Sequence, residues 1–194
     1  YDLKSEKYFF MEVNTRLQVE HPITETLYGI DLVKGQIDVA RGEIVDLHEA
    51  RPLGSVLEAR LNAEDPDNGF SPAPGEVVLF KAPAGPGIRI DSGIEQNSDI
   101  PSEFDSMVAK IIAHGNDRDE AMARLKRALE ELKIWIKNGT TNKAFLLQLL
   151  ENESIVKGAV HTGFVEKIAG EQAYVPAADR VVLALMAGAV EMYF

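Results

Sequence analysis

Apolar and polar residues alternate over most of residues 55–62, whose sequence is SVLEARLN. A period of two is typical of a β-strand with one buried face, and it places Val56, Glu58, Arg60 and Asn62 together on one side. Shorter strands are predicted from β-favouring residues bounded by Pro and Gly, over residues 7–13, 76–81, 88–92, 107–114 and 133–136. The middle of the chain is therefore expected to be rich in short strands.

The strongest helical pattern follows Asp117. This residue is a good N-cap, and the apolar residues after it recur at intervals of three and four, which predicts a helix over residues 119–132. One face of that helix is expected to hold Ala121, Leu125, Ala128, Leu129 and Leu132. Further helices are predicted over residues 24–27, from the cap Asp31 to Ala40, over 142–150 behind the cap Thr141, and over 162–168 and 176–193. The pattern indicates an α+β fold, with an antiparallel sheet or partial barrel and flanking helices.

Composition excludes several classes of function. The 194 residues include no cysteine, which rules out disulfides and thiolate-bound zinc or iron–sulfur sites. Acidic residues outnumber Lys and Arg by 31 to 20, and the net charge of -11 argues against a nucleic-acid partner. The apolar run at residues 181–190 is too short for a bilayer, which takes roughly 20 residues, so no membrane partner is expected. Because Tyr1 is not an initiator Met, we expect the chain to be a piece of a longer protein.

Residues 12–20, EVNTRLQVE, carry the candidate chemistry. In an extended chain the polar residues of this stretch share one face, which holds Glu12, Asn14, Arg16, Gln18 and Glu20. The guanidinium fork suits a planar oxyanion, and a carboxylate can accept a proton or bind Mg²⁺. Full extension would separate the two end carboxylates by about 26 Å, which is too far for one small substrate to touch both. Either the stretch bends after Asn14 or the ligand is long, and we expect the bend. From alternation alone, a solvated strand face without chemistry stays open as the alternative.

The stretch FMEVNTRLQVEHPITE, residues 10–25, resembles the signature of biotin carboxylases, the ATP-grasp components of acyl-CoA, pyruvate and urea carboxylases. Shorter stretches typical of the same family follow in order: EARLNAEDP (58–66), FSPAPG (70–75), GPGIRIDSGI (85–94), FDSMVAKI (104–111) and GTTN (139–142). The similarity covers about residues 1–168. It implies the end of an ATP-grasp domain over 1–48, a biotin carboxylase C-terminal domain over 49–170, and a helical tail or linker over 171–194.

The resemblance also implies an activity. In this family ATP activates bicarbonate as carboxyphosphate, and the carboxyl group then passes to biotin on a carrier domain. By position in the motif, Glu12 and Asn14 would bind the catalytic Mg²⁺ or Mn²⁺, and Glu20 would be the base that deprotonates bicarbonate.

Substrate contacts are implied in the same way. Bicarbonate would lie against Arg16, Gln18 and the backbone N–H of Val19, and Arg60 would stabilise the biotin enolate. The assignment requires Arg16, Glu20 and Arg60 to converge on one common hollow.

The implied partners are a biotin carboxyl carrier domain, a carboxyltransferase and the N-terminal half of the same carboxylase, with assembly as a homo-oligomer. The isolated chain is expected to lack carboxylase activity, because the family's lid and ATP-binding lysine would precede Tyr1. Cytoplasm or mitochondrial matrix would suit such an enzyme. Two alternatives stay open: a non-catalytic docking or dimerisation module, and another ATP-grasp ligase. The run Gln18-Val19-Glu20-His21 argues against the latter.

Overall fold

The structure is a computed structural model that describes residues 2, 5–47 and 50–170. The chain divides between Leu53 and Gly54 into two compact units, unit 1 (Tyr1–Leu53) and unit 2 (Gly54–Phe194). The predicted helix at 176–193 and the predicted tail at 171–194 lie outside the described residues. Within those described ranges, no helix combines the length and the apolar character needed to cross a membrane.

Unit 1 contains two described helices, α1 (His21–Tyr28) and α2 (Leu32–Ala40). α1 begins three residues earlier than predicted, because Pro22 lacks an N–H and fits the first turn, where no backbone donor is needed. It ends at Gly29, whose φ of 66° is a left-handed conformation that glycine adopts without strain. The predicted cap of α2 is confirmed, since Asp31 accepts a hydrogen bond from a first-turn N–H at 2.8 Å.

The strand predicted over residues 7–13 is wrong. Lys7 forms an isolated antiparallel bridge with Asp2, and residues 8–13 belong to no strand. A strand needs a neighbour that accepts its backbone hydrogen bonds, and none of the described strands pairs with this segment. Its side chains are accordingly exposed, by 85% for Tyr8 and 83% for Phe10. Aromatic residues favour a strand, but they do not supply its partner.

The described part of unit 2 alternates strands with helices. In chain order the elements are β1 (Ser55–Asn62), β2 (Glu64–Asp65), a 3₁₀ helix (Pro66–Asn68), β3 (Ser71–Pro72), β4 (Glu76–Lys81), β5 (Ile88–Ser92), β6 (Met107–Gly115), α3 (Arg118–Glu131), β7 (Lys133–Lys137), α4 (Lys143–Glu151), α5 (Glu153–Val156) and α6 (Phe164–Gly170). The predictions for β1, β4, β5, β6, β7, α3 and α4 are confirmed to within one residue at each end. α6 lies two residues later than predicted, and α5 was not predicted.

β6 is the centre of a three-stranded antiparallel sheet, with β1 on one side and β5 on the other. β4 pairs with β7, and β2 with β3, in two further antiparallel ladders. α3 packs on this sheet through its predicted apolar stripe, with Leu125 and Leu129 buried against Leu61 and Ile111. The predicted α+β fold, an antiparallel sheet with flanking helices, is confirmed.

The predicted cap of α4 is wrong. Asn142, rather than Thr141, occupies the N-cap position, and its side chain makes no capping hydrogen bond. The hydroxyl of Thr141 makes only a long contact of 3.4 Å with the N–H of Lys143. Asn142 is 7% exposed, and its side-chain amide bonds to β1 instead of to its own helix.

Three charged residues lie side by side across the three-stranded sheet. Arg60 of β1 is opposite Lys110 of β6, which in turn is opposite Asp91 of β5. Arg89 donates two hydrogen bonds to Asp91, at 2.8 and 2.9 Å, and Nζ of Lys110 lies 3.4 Å from the same carboxylate. Partial burial raises the pKa of Asp91, but Arg89 and then Lys110 outweigh this effect and hold the pKa below its usual range.

The lowered pKa predicts that Asp91 stabilises the fold in a pH-dependent way. A carboxyl group with a lower pKa in the folded state stabilises above its unfolded pKa, near 3.8, and loses that contribution as the pH falls through the folded pKa. We expect Asp91→Asn to lower the free energy of unfolding at neutral pH by about 1 kcal/mol or less, because the cluster is partly exposed. Urea unfolding should show this difference shrinking below about pH 4.

The control for this prediction is Glu153→Gln, which removes an exposed pair with Lys157 one helical turn away. It should change the free energy of unfolding little at either pH. A loss for Asp91→Asn that is the same at acidic and neutral pH would contradict the prediction.

Candidate functional site

The polar stretch at residues 12–20 has no regular secondary structure until its end. The chain bends at Arg16 and turns at residues 19–20, which lead directly into α1. The expected bend after Asn14 is therefore present. Of the apolar residues that alternate with the polar ones, Val13 is 68% exposed, whereas Leu17 and Val19 are half-buried.

Arg16, Gln18 and Glu20 line one open cavity of unit 1, with a volume of about 340 Å³. The rest of the lining comes from the same stretch and from the two helices: Leu17, His21, Thr24, Leu32 and Gln36. Three of the residues predicted to act on bicarbonate thus lie together. A guanidinium fork, an amide and a carboxylate around one hollow can bind a planar anion and accept a proton from it.

A histidine and a buried carboxylate fix the backbone beside this cavity. Nδ1 of His21 lies 2.8 Å from the carbonyl oxygen of Gln18, and Nε2 lies 4.0 Å from Glu25. Glu25 is 8% exposed and accepts a hydrogen bond from the N–H of Leu32 at 3.0 Å, so it ties α1 to the start of α2. Neither residue was predicted as part of the site, although their spacing of four on a helix was a usable signal.

The predicted anion-binding and base residues are accessible. Nη1 of Arg16 donates to the carbonyl of Leu17 at 3.3 Å, which leaves other N–H groups of the guanidinium to serve a ligand. Glu20 is the N-cap residue of α1, but its side chain makes no capping hydrogen bond and is exposed. Val19 is half-buried in the turn between them.

Glu12 and Asn14, the residues predicted to bind a metal ion, are both exposed and lie two positions apart. Carboxylate and amide oxygens suit Mg²⁺ and Mn²⁺. Two side chains do not fill the shell of such an ion, and no group of three or more His, Cys, Asp or Glu residues in the described part of the chain could hold one. The pair fits part of a metal site that phosphate oxygens and further ligands would complete.

Arg60 lies in unit 2, on the predicted polar face of β1. Its side chain is 48% exposed, and its Nε is 3.9 Å from Oε1 of Glu58, whose side chain is only 3% exposed. Arg60 lines a largely apolar cavity of about 630 Å³ bordered by β1, α3 and α4. The expectation that Arg60 shares a hollow with Arg16 and Glu20 stays a prediction.

Two family models match the chain. The biotin carboxylase C-terminal domain matches residues 58–167, and the ATP-binding domain of the carbamoyl-phosphate synthase L chain matches residues 1–48. The first of these matches covers more than half of the chain and includes Arg60, whereas the second includes the whole polar stretch.

Curated relatives agree with these matches. Biotin carboxylase 1 of Bacillus subtilis is 46% identical over 168 residues, which make up 86% of this chain and 37% of that protein. The biotin-dependent acyl-coenzyme A carboxylase alpha3 subunit of Mycobacterium leprae is 52% identical over 126 residues, or 64% of this chain and 21% of that subunit. The chain therefore spans little more than a third of the length of the Bacillus relative.

Solved structures show the same similarity. The biotin carboxylase domain of Hydrogenobacter thermophilus 2-oxoglutarate carboxylase, a dimer in complex with MgADP and bicarbonate, matches with a TM-score of 0.80 and 34% identity. That match covers 87% of this chain and 37% of the other. The motif-based resemblance is confirmed, and the chain belongs to the biotin carboxylase C-terminal domain family.

Proposed function

We propose that the chain supplies part of a biotin carboxylase, which uses ATP to activate bicarbonate and then carboxylates carrier-bound biotin. The observation that carries the proposal is the cavity of unit 1, where Arg16, Gln18 and Glu20 meet. The similarity to Biotin carboxylase 1 and to a domain in complex with MgADP and bicarbonate supports it.

Bicarbonate is proposed to lie against Arg16. The guanidinium is permanently charged and presents paired N–H donors, which match two oxygens of a planar anion. The amide of Gln18 and the backbone N–H of Val19 are the neighbouring donors of the same short stretch. The open cavity allows the anion to enter from solvent.

Glu20 is proposed as the base. Its exposed carboxylate lines the same cavity as Arg16, so it can take the proton of a bound bicarbonate. The deprotonated oxygen then attacks the γ-phosphorus of ATP, the bond to the bridging oxygen breaks, and ADP leaves with carboxyphosphate formed. Arg16 stabilises the additional negative charge that the anion carries once Glu20 has taken its proton.

Glu12 and Asn14 are proposed to hold part of the coordination shell of Mg²⁺ or Mn²⁺. Their oxygens have the chemistry that these ions prefer, and both side chains reach solvent. A bound Mg²⁺ would neutralise phosphate charge during phosphoryl transfer. The contribution of the chain is to present one carboxylate and one amide on the segment that leads to Arg16.

Arg60 is proposed to act on biotin. When N1′ of biotin gives its proton to the phosphate group, negative charge spreads to the ureido oxygen, and a preplaced guanidinium stabilises it. N1′ then bonds to the carboxyl carbon of carboxyphosphate, the bond from that carbon to the phosphate oxygen breaks, and inorganic phosphate leaves with the proton. The side chain of Arg60 is 48% exposed, whereas that of Lys110 opposite it is only 13% exposed. Arg60 is therefore the more accessible of these two cations to an incoming oxyanion.

The proposed enzyme is longer than this chain. The segment at residues 8–13 exposes Tyr8, Phe10 and Met11 by more than four-fifths each, and such an apolar surface is typical of a site for further protein. Proposed partners are the remaining ATP-binding parts, a carrier domain and a carboxyltransferase, with a second copy as in the Hydrogenobacter dimer.

The first prediction concerns activity in a longer protein. We define the joined protein as this chain placed behind the part of Bacillus subtilis Biotin carboxylase 1 that precedes the matching region. The joined protein should cleave ATP in a bicarbonate-dependent reaction, whereas the isolated chain should not, because the chain holds only part of the nucleotide site. A phosphate-release assay measures both. A folded joined protein without this activity, or an active isolated chain, would contradict the proposal.

The second prediction separates the roles of the two arginines in the joined protein. Arg16→Ala should lower kcat/KM for bicarbonate by about 100-fold, since one oxyanion donor is lost, while ATP still binds. Arg60→Ala should spare ATP cleavage in the absence of biotin and lower biotin carboxylation by about 100-fold. Transfer of labelled bicarbonate to biotin, measured beside phosphate release, distinguishes the two steps.

Arg127→Ala is the matched control for these variants, because Arg127 pairs with Glu131 on the exposed side of α3. It should leave both steps unchanged. A loss of ATP cleavage in Arg60→Ala as large as its loss of biotin carboxylation would contradict the proposal that Arg60 acts only in the second step.

A further inference from the structure

The run Gly139–Asn142 ends in a side chain whose contacts the proposed reaction does not explain. Asn142 is 7% exposed, occupies the N-cap position of α4, and does not cap that helix. It reaches a strand that lies 80 residues earlier in the chain. A buried side-chain amide needs hydrogen-bond partners, and Asn142 finds them in that strand.

Asn142 bonds to β1 with three groups. Its Oδ1 accepts a hydrogen bond from the N–H of Asn62 at 2.9 Å, and its Nδ2 donates to the carbonyl of Arg60 at 3.1 Å. Its own backbone N–H donates to the carbonyl of Asn62 at 3.1 Å. The side-chain amide is chemically a peptide group, so this residue takes the place of a neighbouring strand on the outer edge of β1.

The position of this contact matters because the pairing of β1 with β6, on the opposite edge of β1, is irregular there. β1 pairs regularly with β6 up to Leu61, and the register shifts between Leu61 and Asn62. Such an irregularity leaves the strand less constrained by its partner. Asn142 fixes the backbone on both sides of the shift, at Arg60 and at Asn62.

The first residue of the run, Gly139, is also closely packed. A Cβ at Gly139 would lie 2.4 Å from the carbonyl oxygen of Ala73 and 2.8 Å from that of Pro74, so only glycine fits this close approach. The N–H of Gly139 also donates to the carbonyl of Ile136 at 3.2 Å. The loop that presents Asn142 is thereby anchored to the end of β7.

We propose that Asn142 is a positioning residue for Arg60. Because Asn142 fixes the backbone of Arg60, it determines where the guanidinium lies when biotin binds. A displacement of about half an ångström at such a group lowers the rate of the reaction. The role assigned to Asn142 is to hold the backbone of Arg60, not to take part in the chemistry. The inference rests on the proposed function, because it assigns Arg60 to the biotin step.

The first test uses the 194-residue chain and needs no activity. Asn142→Leu should speed amide hydrogen exchange at Asn62 by about tenfold, the effect of one lost hydrogen bond. Asn142→Asp keeps the acceptor for that N–H and should show a smaller change. The control is Asn152→Leu, which removes a cap at 2.9 Å from the Ser154 N–H and leaves β1 untouched. Unchanged exchange at Asn62 in Asn142→Leu would overturn the proposal.

The second test uses the joined protein. Asn142→Leu should lower kcat for biotin carboxylation by about tenfold, with the KM for bicarbonate and ATP cleavage without biotin both unchanged. Added to Arg60→Ala, it should cause no further loss, because it acts through that residue. Equal losses in both steps, or an additional loss in the double variant, would overturn the proposal.

An inactive unsubstituted joined protein would defeat the proposed function alone, and faster exchange at Asn62 would still support the role of Asn142.

Discussion

The antiparallel pairing of β1 with β6 is the constraint on which unit 2 depends. It sets Arg60 opposite Lys110 on the polar face, and it sends Leu61 into the core against α3. Because side chains alternate along a strand, a slip of one residue would exchange these two faces completely. The apolar stripe of α3 opposes such a slip, since a charged side chain would then have to be buried against Leu125 and Leu129. The packing of the core and the direction of the candidate catalytic arginine are thus determined by the same register.

Near both candidate sites, hydrogen bonds between side chains and backbone hold the chain in place. In unit 1, His21 and Glu25 bind the backbone of the loop and of α2. In unit 2, Asn142 binds the backbone of Arg60 and of Asn62. Exposed ion pairs such as Lys157 with Glu153 contribute little to stability, because water and salt screen them. Short, partly buried bonds to the backbone restrict geometry more tightly, and geometry is what a site for a small anion requires.

Local signals made much of unit 2 predictable. β1 and α3 follow from periodicity and from the cap Asp117, since each of these patterns is complete within its own segment. The polar stretch at 12–20 was likewise visible as a motif, and its bend followed from its length. The segment at 7–13 was mispredicted because a strand requires a partner that composition does not reveal. The role of Asn142 was hidden because its contacts cross about 80 residues of sequence.

The register of β1 on β6 can be measured directly in this chain by nuclear Overhauser spectroscopy. The carbonyl of Arg60 points away from β6 towards Asn142, so Arg60 and Lys110 form the closer kind of antiparallel pair, with Cα atoms about 4.5 Å apart. A strong contact between the Hα protons of Arg60 and Lys110 is therefore expected. A contact from the Hα of Arg60 to that of Ala109 or Ile111 instead would place the arginine on the wrong face and contradict the account.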